Sequence, residues 1–203
     1  MSHRVLARPA LALFAVLPLC ALAGAIEVRV QDANGQPLPD AVVFLESAAA
    51  RAAVKPAPAA EIAQVQRSFV PAVTVVTVGT AVSFPNRDTV RHHVYSFSPM
   101  KKFEIKLYVG TPAAPVVFDQ PGIAVLGCNI HDQMTAWVLV VATPFYGKTG
   151  VDGVVKLANV PSGNYRLRSW HASLPVGAPA ADQALVVDAL AQQVGLRLGG
   201  SAK

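Results

Sequence analysis

Cys128-Asn129-Ile130-His131-Asp132-Gln133-Met134 is the stretch on which the reading of this chain turns. It places a thiol, an imidazole and a thioether within seven residues, with the spacing C-x2-H-x2-M. Ile123 to Gly127 leads into it as a strand, and the apolar run Trp137 to Val141 leads out as a second, buried strand. A short loop between two strands can curl these three side chains around one point. Thiolate, imidazole and thioether form a soft ligand set that favours copper, whereas zinc more often recruits a second cysteine or a carboxylate. A trigonal His₂Cys site with a long axial Met needs one more histidine.

That histidine is sought in Arg91-His92-His93-Val94. Successive side chains on a strand point to opposite faces. Val90, His92 and Val94 share the more apolar face, so His92 is expected inward. His93 is expected outward, or in a shell behind the ligands.

Working outward, strand signals dominate. Val73 to Val78, Val82 to Phe84, Val90 to Phe97, Ile105 to Val109 and Val116 to Phe118 are rich in β-branched and aromatic residues. Gly79-Thr80, Pro85 to Asp88 and Pro121-Gly122 punctuate them. Before them lie the strands Ile26 to Val30 and Ala41 to Leu45. After them come Val154 to Leu157, Tyr165 to Arg168, Leu185 to Val187 and Val194 to Leu198. Ala48 to Ala60 is Ala/Pro-rich and reads as a linker. The expectation is an all-β protein without an amphipathic helix.

Composition agrees. Hydrophobic residues make up 53% of the 203 and charged residues 14%, the reverse of a disordered chain. The formal charge of +5 falls to 15 − 12 = +3 without Arg4 and Arg8. No Lys/Arg tract or basic aromatic patch supports nucleic-acid binding. Lys101-Lys102 reads as a solvated turn and Trp170-His171 as structural or surface residues.

Residues 1–25 read as a secretory signal. Arg4 and Arg8 form the basic segment, Ala10 to Leu19 the apolar one, and Ala21-Leu22-Ala23 the cleavage site. Cleavage would remove Cys20 and leave Cys128 as the one cysteine, unable to form an internal disulfide. The expected location is periplasmic, with no stable membrane insertion after cleavage.

Residues 65–141, 77 of the 203, resemble the cupredoxins, closest to amicyanin. The matching pieces are Phe69-x-Pro71, Val78-Gly79-Thr80-x-Val82-x-Phe84-x-Asn86, Arg91-His92-His93-Val94, Phe118-x-x-Pro121-Gly122 and the Cys128 loop. The whole string also resembles exported methylamine utilization proteins. The resemblance implies a Greek-key β-sandwich with His92, Cys128, His131 and Met134 as ligands of one type-1 copper. Cupredoxins usually carry Asn after the first histidine ligand. Here His93 stands there, so a side-chain bridge between the ligand loops is altered.

The flanks resemble carboxypeptidase-regulatory-like or transthyretin-like β-sandwiches, through Asn34-Gly35-x-Pro37-Leu38-x-Asp40-Ala41-Val42-Val43, Asp152-Gly153-x-Val155-x-Leu157 and Pro161-Ser162-Gly163-Asn164-Tyr165. The expected organisation is a discontinuous sandwich of residues 26–47 and 143–200. A linker at 48–60 and a cupredoxin-like copper domain at 61–142 are inserted in it. Ile26 to Leu45 should then pair with Val154 to Leu167.

Three functions compete. The first is one-electron transfer to a transient periplasmic redox protein. The second is a periplasmic copper carrier or buffer. The third is an interaction module with a degenerate metal site, against which the intact ligand types count. An enzyme is not expected: Cys128, His131 and Asp132 lack an oxyanion-hole signal for thiol hydrolysis.

Overall fold

The computed structural model describes residues 23–199. It consists almost entirely of strands. In chain order they are β1 (Ala23–Gln31), β2 (Val42–Glu46), helix α1 (Ala48–Ala53), β3 (Ala60–Glu61), β4 (Ala63–Val65), β5 (Ser68–Val70), β6 (Val73–Thr77), β7 (Thr80–Ser83) and β8 (His92–Ser98). There follow β9 (Lys101–Tyr108), β10 (Val116–Phe118), β11 (Gly122–Gly127), β12 (Thr135–Val141), β13 (Tyr146–Lys148), β14 (Val154–Pro161), β15 (Gly163–Trp170), β16 (Ala181–Val187) and β17 (Gln192–Arg197). The all-β expectation holds. Among the described residues no helix is long and apolar enough to cross a membrane.

The described strands form five sheets; four of them stack as layers, and β4 pairs with β5 as a separate two-stranded hairpin. The first outer sheet has the order β14-β1-β17 and the first inner sheet β13-β2-β15-β16. Between them lies a core of Ile26, Val28, Val30, Val43, Leu45 and Leu167, with others. The second inner sheet is β6-β12-β11-β8-β9 and the second outer sheet β10-β7-β3. Their core includes Val82, Phe84, Val94, Phe118, Leu126 and Val138. The strands alternate between these cores and the other face, as period two requires.

The central strands of the two inner sheets, β2 and β12, are buried on both faces. Val42, Phe44 and Trp170 on one meet Leu139 and Val141 on the other. Continuous apolar runs in β2 and β12 follow from this double burial, since no face is left for water.

Long-range pairing joins the two ends of the chain. Val28 of β1 lies opposite Val155 of β14 and opposite Val194 of β17. Leu45 of β2 lies opposite Leu167 of β15. Ile26 to Leu45 thus share sheets with Val154 to Leu167.

Three local expectations are corrected. The Ala/Pro-rich stretch read as a linker is not wholly irregular, because Ala48–Ala53 is helical. Ser47 caps it by accepting from the Ala50 N–H, the alanines carry no helix penalty, and Pro56 forbids extension. Lys101-Lys102 is not a turn but the start of β9, with Lys101 opposite Ser98 and Nζ 3.0 Å from Asp119 Oδ1. The turn itself is Pro99-Met100. Val90-Arg91 is not strand: Asn86 Nδ2 donates to the Val90 carbonyl and to the Tyr108 carbonyl, both at 2.8 Å, and so holds 85–91 as a loop.

Of the leader expected at residues 1–25, residues 1–22 lie outside the described residues. Ala23 and Gly24 belong to β1, opposite Pro161 and Val160. The strand begins before Ile26 because these residues find ladder partners on β14.

Candidate metal centre

The site sits at one end of the second inner sheet. β8 supplies His92 as its first residue, and β11 delivers Cys128 directly after its last residue, Gly127. The loop from Cys128 to Met134 closes by the Met134 N–H donating to the His131 carbonyl at 2.9 Å. That turn folds His131 and Met134 back toward the thiol.

His92, Cys128 and His131 each bring one ligand atom within 4.8 Å of the others. The two imidazole rings stand 5.0 Å apart at 61°. His92 is fully buried, Cys128 is 3% exposed and His131 is half-buried. Met134 is 1% exposed and packs in the same core cluster as Cys128. So three of the four residues expected as ligands converge on one point, and the fourth lies in the apolar cluster that encloses it.

The nitrogens of the two rings are used unequally. His92 Nε2 lies 2.7 Å from Asp88 Oδ2, while His92 Nδ1 is buried with no hydrogen-bond partner among the described residues. His131 Nδ1 is likewise buried and unpartnered. An orphaned buried nitrogen costs free energy unless something binds it. Two such nitrogens beside a buried free thiol fit a metal ion with soft and borderline ligands.

Asp88 was not anticipated from the sequence. Its carboxylate accepts from the Gln66 N–H at 2.7 Å and the Arg67 N–H at 2.9 Å, on the turn between β4 and β5. Burial works to raise its pKa. The Arg67 N–H, the His92 ring and the Gln66 N–H outweigh burial and hold the carboxyl below the ordinary range. Gln66 and Arg67 both have left-handed backbones, which turns their N–H groups onto one acceptor. The one signal available was the four-residue interval from Asp88 to His92 across the break after Pro85.

His93 is brought near the site but faces away from it. It is 4% exposed, so it does not point into solvent. Its Nε2 lies 3.0 Å from Glu104 Oε1 on the neighbouring β9, a close polar contact without hydrogen-bond alignment. Its ring meets Tyr95 edge-on, with centroids 5.9 Å apart.

Two further residues lie near this cluster. Tyr108 donates to the Phe84 carbonyl at 2.6 Å, and burial, with a smaller push from Cys128, raises its pKa to about 12. Gln64 also contacts its hydroxyl and works the other way. Gly127 makes room for Tyr95: a Cβ there would lie 2.6 Å from Tyr95 Cζ. Asp132 next to His131 is exposed and makes no part of the cluster.

No protein-family model and no curated protein sequence matches this chain. Among solved structures it is similar to a Cu-containing nitrite reductase from Thermus scotoductus SA-01, at 26% identity and a TM-score of 0.39. That match covers 43% of this chain and 23% of the reductase chain. A purple cupredoxin from Nitrosopumilus maritimus matches at 21% identity over 40% of this chain and 99% of its own, with a TM-score of 0.37. A reduced Cu(I) form of an amicyanin mutant matches at 20% identity over 49% of this chain and 98% of its own, with a TM-score of 0.38. With TM-scores below 0.5, the fold assignment rests on the strands, sheets and cores themselves.

Proposed function

We propose that this chain is an exported type-1 copper protein that passes single electrons between periplasmic redox partners. The observation that carries the reading is the meeting of His92, Cys128 and His131 within 4.8 Å, with two buried ring nitrogens left unpartnered. Copper held there would alternate between Cu(I) and Cu(II) and so store one electron.

The chain's own residues then divide the work. Cys128, as thiolate, and the two Nδ1 atoms would hold the ion, with the Met134 thioether as a weak further ligand. Asp88 holds His92 by its other nitrogen, which fixes the ring and its tautomer. The apolar cluster of Phe84, Val94 and Leu126 keeps water from the thiol side. His131 is the half-exposed ligand and Ile130 beside it is 47% exposed, so this end of the sandwich offers an apolar edge for a brief redox contact.

Residues 61–142 are, on this reading, a cupredoxin-like copper domain inserted in a carboxypeptidase-regulatory-like sandwich of residues 26–47 and 143–200. The test is to purify the exported protein, measure copper per chain and record its visible spectrum. One copper with an intense blue thiolate band supports the electron carrier. Colourless, readily exchanged Cu(I) transfers the proposal to a copper carrier or buffer, and a chain that retains no copper overturns both.

A further inference from the structure

Besides the contact at Leu139 and Val141, the two inner sheets border a cleft of about 800 Å³. This is the size of a small-molecule site. We propose that the cleft binds a planar aromatic anion, held against its indole and phenyl walls and by the guanidinium groups of Arg51 and Arg168 at its edge.

The walls favour a flat ligand. Trp137 and Trp170 face the cleft from opposite sheets, with ring centroids 6.1 Å apart and tilted by 54°. Phe44 lines it from β2. Tyr95 and Phe97 stack at 4.9 Å on β8, and Phe97 is left 72% exposed. The indoles already pack on one another and Trp170 is 3% exposed, so a ring entering the cleft gains its offset or edge contacts against the outer faces of Trp137, Phe44 and the exposed Phe97.

The charge favours an anion. The charged side chains lining the cleft are Arg51, Arg168 and Glu46. Glu46 is already taken, because its Oε2 lies 3.2 Å from Arg168 Nη1. Arg168 sits over the Phe44 ring at 5.6 Å, and its Nε is buried with no hydrogen-bond partner. Arg51, on α1, is exposed and has no carboxylate partner among the described residues. One buried N–H without an acceptor and one uncompensated positive charge are what a carboxylate or sulfonate would satisfy. The cleft also touches Gly127, the residue before Cys128, but the proposal stands without any metal.

The probe is biphenyl-4-carboxylate, with the neutral biphenyl-4-methanol as its control, titrated by calorimetry into the purified protein. Both tryptophans of the chain line this cleft, so tryptophan emission reports on its occupant. The carboxylate should bind with a change in that emission, and more tightly than the alcohol. Arg51→Gln changes an exposed side chain and should weaken the carboxylate by about two- to five-fold, leaving the alcohol unaffected. Val125→Phe, on the floor of the cleft, should reduce binding of both. No heat, equal affinity for carboxylate and alcohol, an unchanged Arg51→Gln variant, or binding that leaves tryptophan emission unmoved would each overturn the proposal. So would a concentration-dependent dimer that buries the cleft and excludes the probe.

Discussion

Asp88 Oδ2 lies 2.7 Å from His92 Nε2, and the same carboxylate is held by the N–H groups of Gln66 and Arg67. The hairpin β4–β5 therefore reaches the candidate ligand through one side chain. Asp88→Asn should lower copper affinity by about ten- to a hundred-fold, the usual effect of removing a carboxylate behind a metal-binding histidine. Competition with a chelator of known affinity measures it. Unchanged affinity would show that Asp88 serves the hairpin and not the metal.

His92 and His93 face opposite ways from adjacent positions on β8. His92→Ala should abolish the blue band, while His93→Ala should keep it. The second change releases Glu104, which is half exposed, and should cost about 1 kcal/mol of stability. Visible spectra of the two variants decide the matter, and the reverse pattern would exchange the histidines.

Cys128→Ser should remove the thiolate band outright, because a hydroxyl supplies no comparable charge transfer. The two side chains differ little in size, so the far-ultraviolet circular dichroism should stay that of the parent chain. A blue serine variant would end the copper-thiolate assignment.

Tyr165 gives a pH test away from the metal. Its hydroxyl donates to the Pro161 carbonyl at 3.0 Å, and burial raises its pKa above the ordinary 10.0, against an opposing hydrogen bond with Ser47. The raised value means that the folded state holds this proton more tightly than the unfolded chain. Its contribution is thus complete below pH 10 and declines as pH rises toward the folded value. Urea unfolding should show this decline in the parent. Tyr165→Phe should lose that share of it, and at neutral pH should be less stable by about 1 kcal/mol.

The two sandwiches have separate cores but share a third apolar contact. A fragment of residues 61–142 should fold and bind copper, because Phe84, Phe118, Leu126 and Val138 all lie within it. It should also self-associate, since Trp137, Leu139 and Val141 lose their cover from Phe44 and Trp170. Deleting 61–142 and closing the gap with a short turn should leave a folded β-domain without copper. Sedimentation and circular dichroism check both pieces, and two unfolded pieces would refute the division.

The C-x2-H-x2-M spacing was legible because seven consecutive residues cannot separate far, whatever the rest of the chain does. The inward face of His92 was legible only through Val94, two residues further along the strand, because Val90, the other residue assigned to that face, lies in the loop and is 38% exposed. The β-branched runs marked most strands, and the unbroken apolar stretch Trp137 to Val141 announced a strand buried on both sides. Pairing of the flanking stretches was legible too, since neither held enough strands to cover its own apolar face.

Other features depend on what lies across from a residue, which its neighbours in sequence do not encode. Asp88 and His92 read as a loop carboxylate and a strand histidine, and they became partners only when the Gln66–Arg67 turn pinned the loop between them. His93 faces away from the core of its own sandwich, yet it is buried because Glu104 and Tyr95 close over it. Phe44, Trp137, Trp170 and Arg168 are scattered over 127 residues, counted from 44 to 170. They line one cleft because two sheets stack face to face, and that stacking is long-range packing with no local signature.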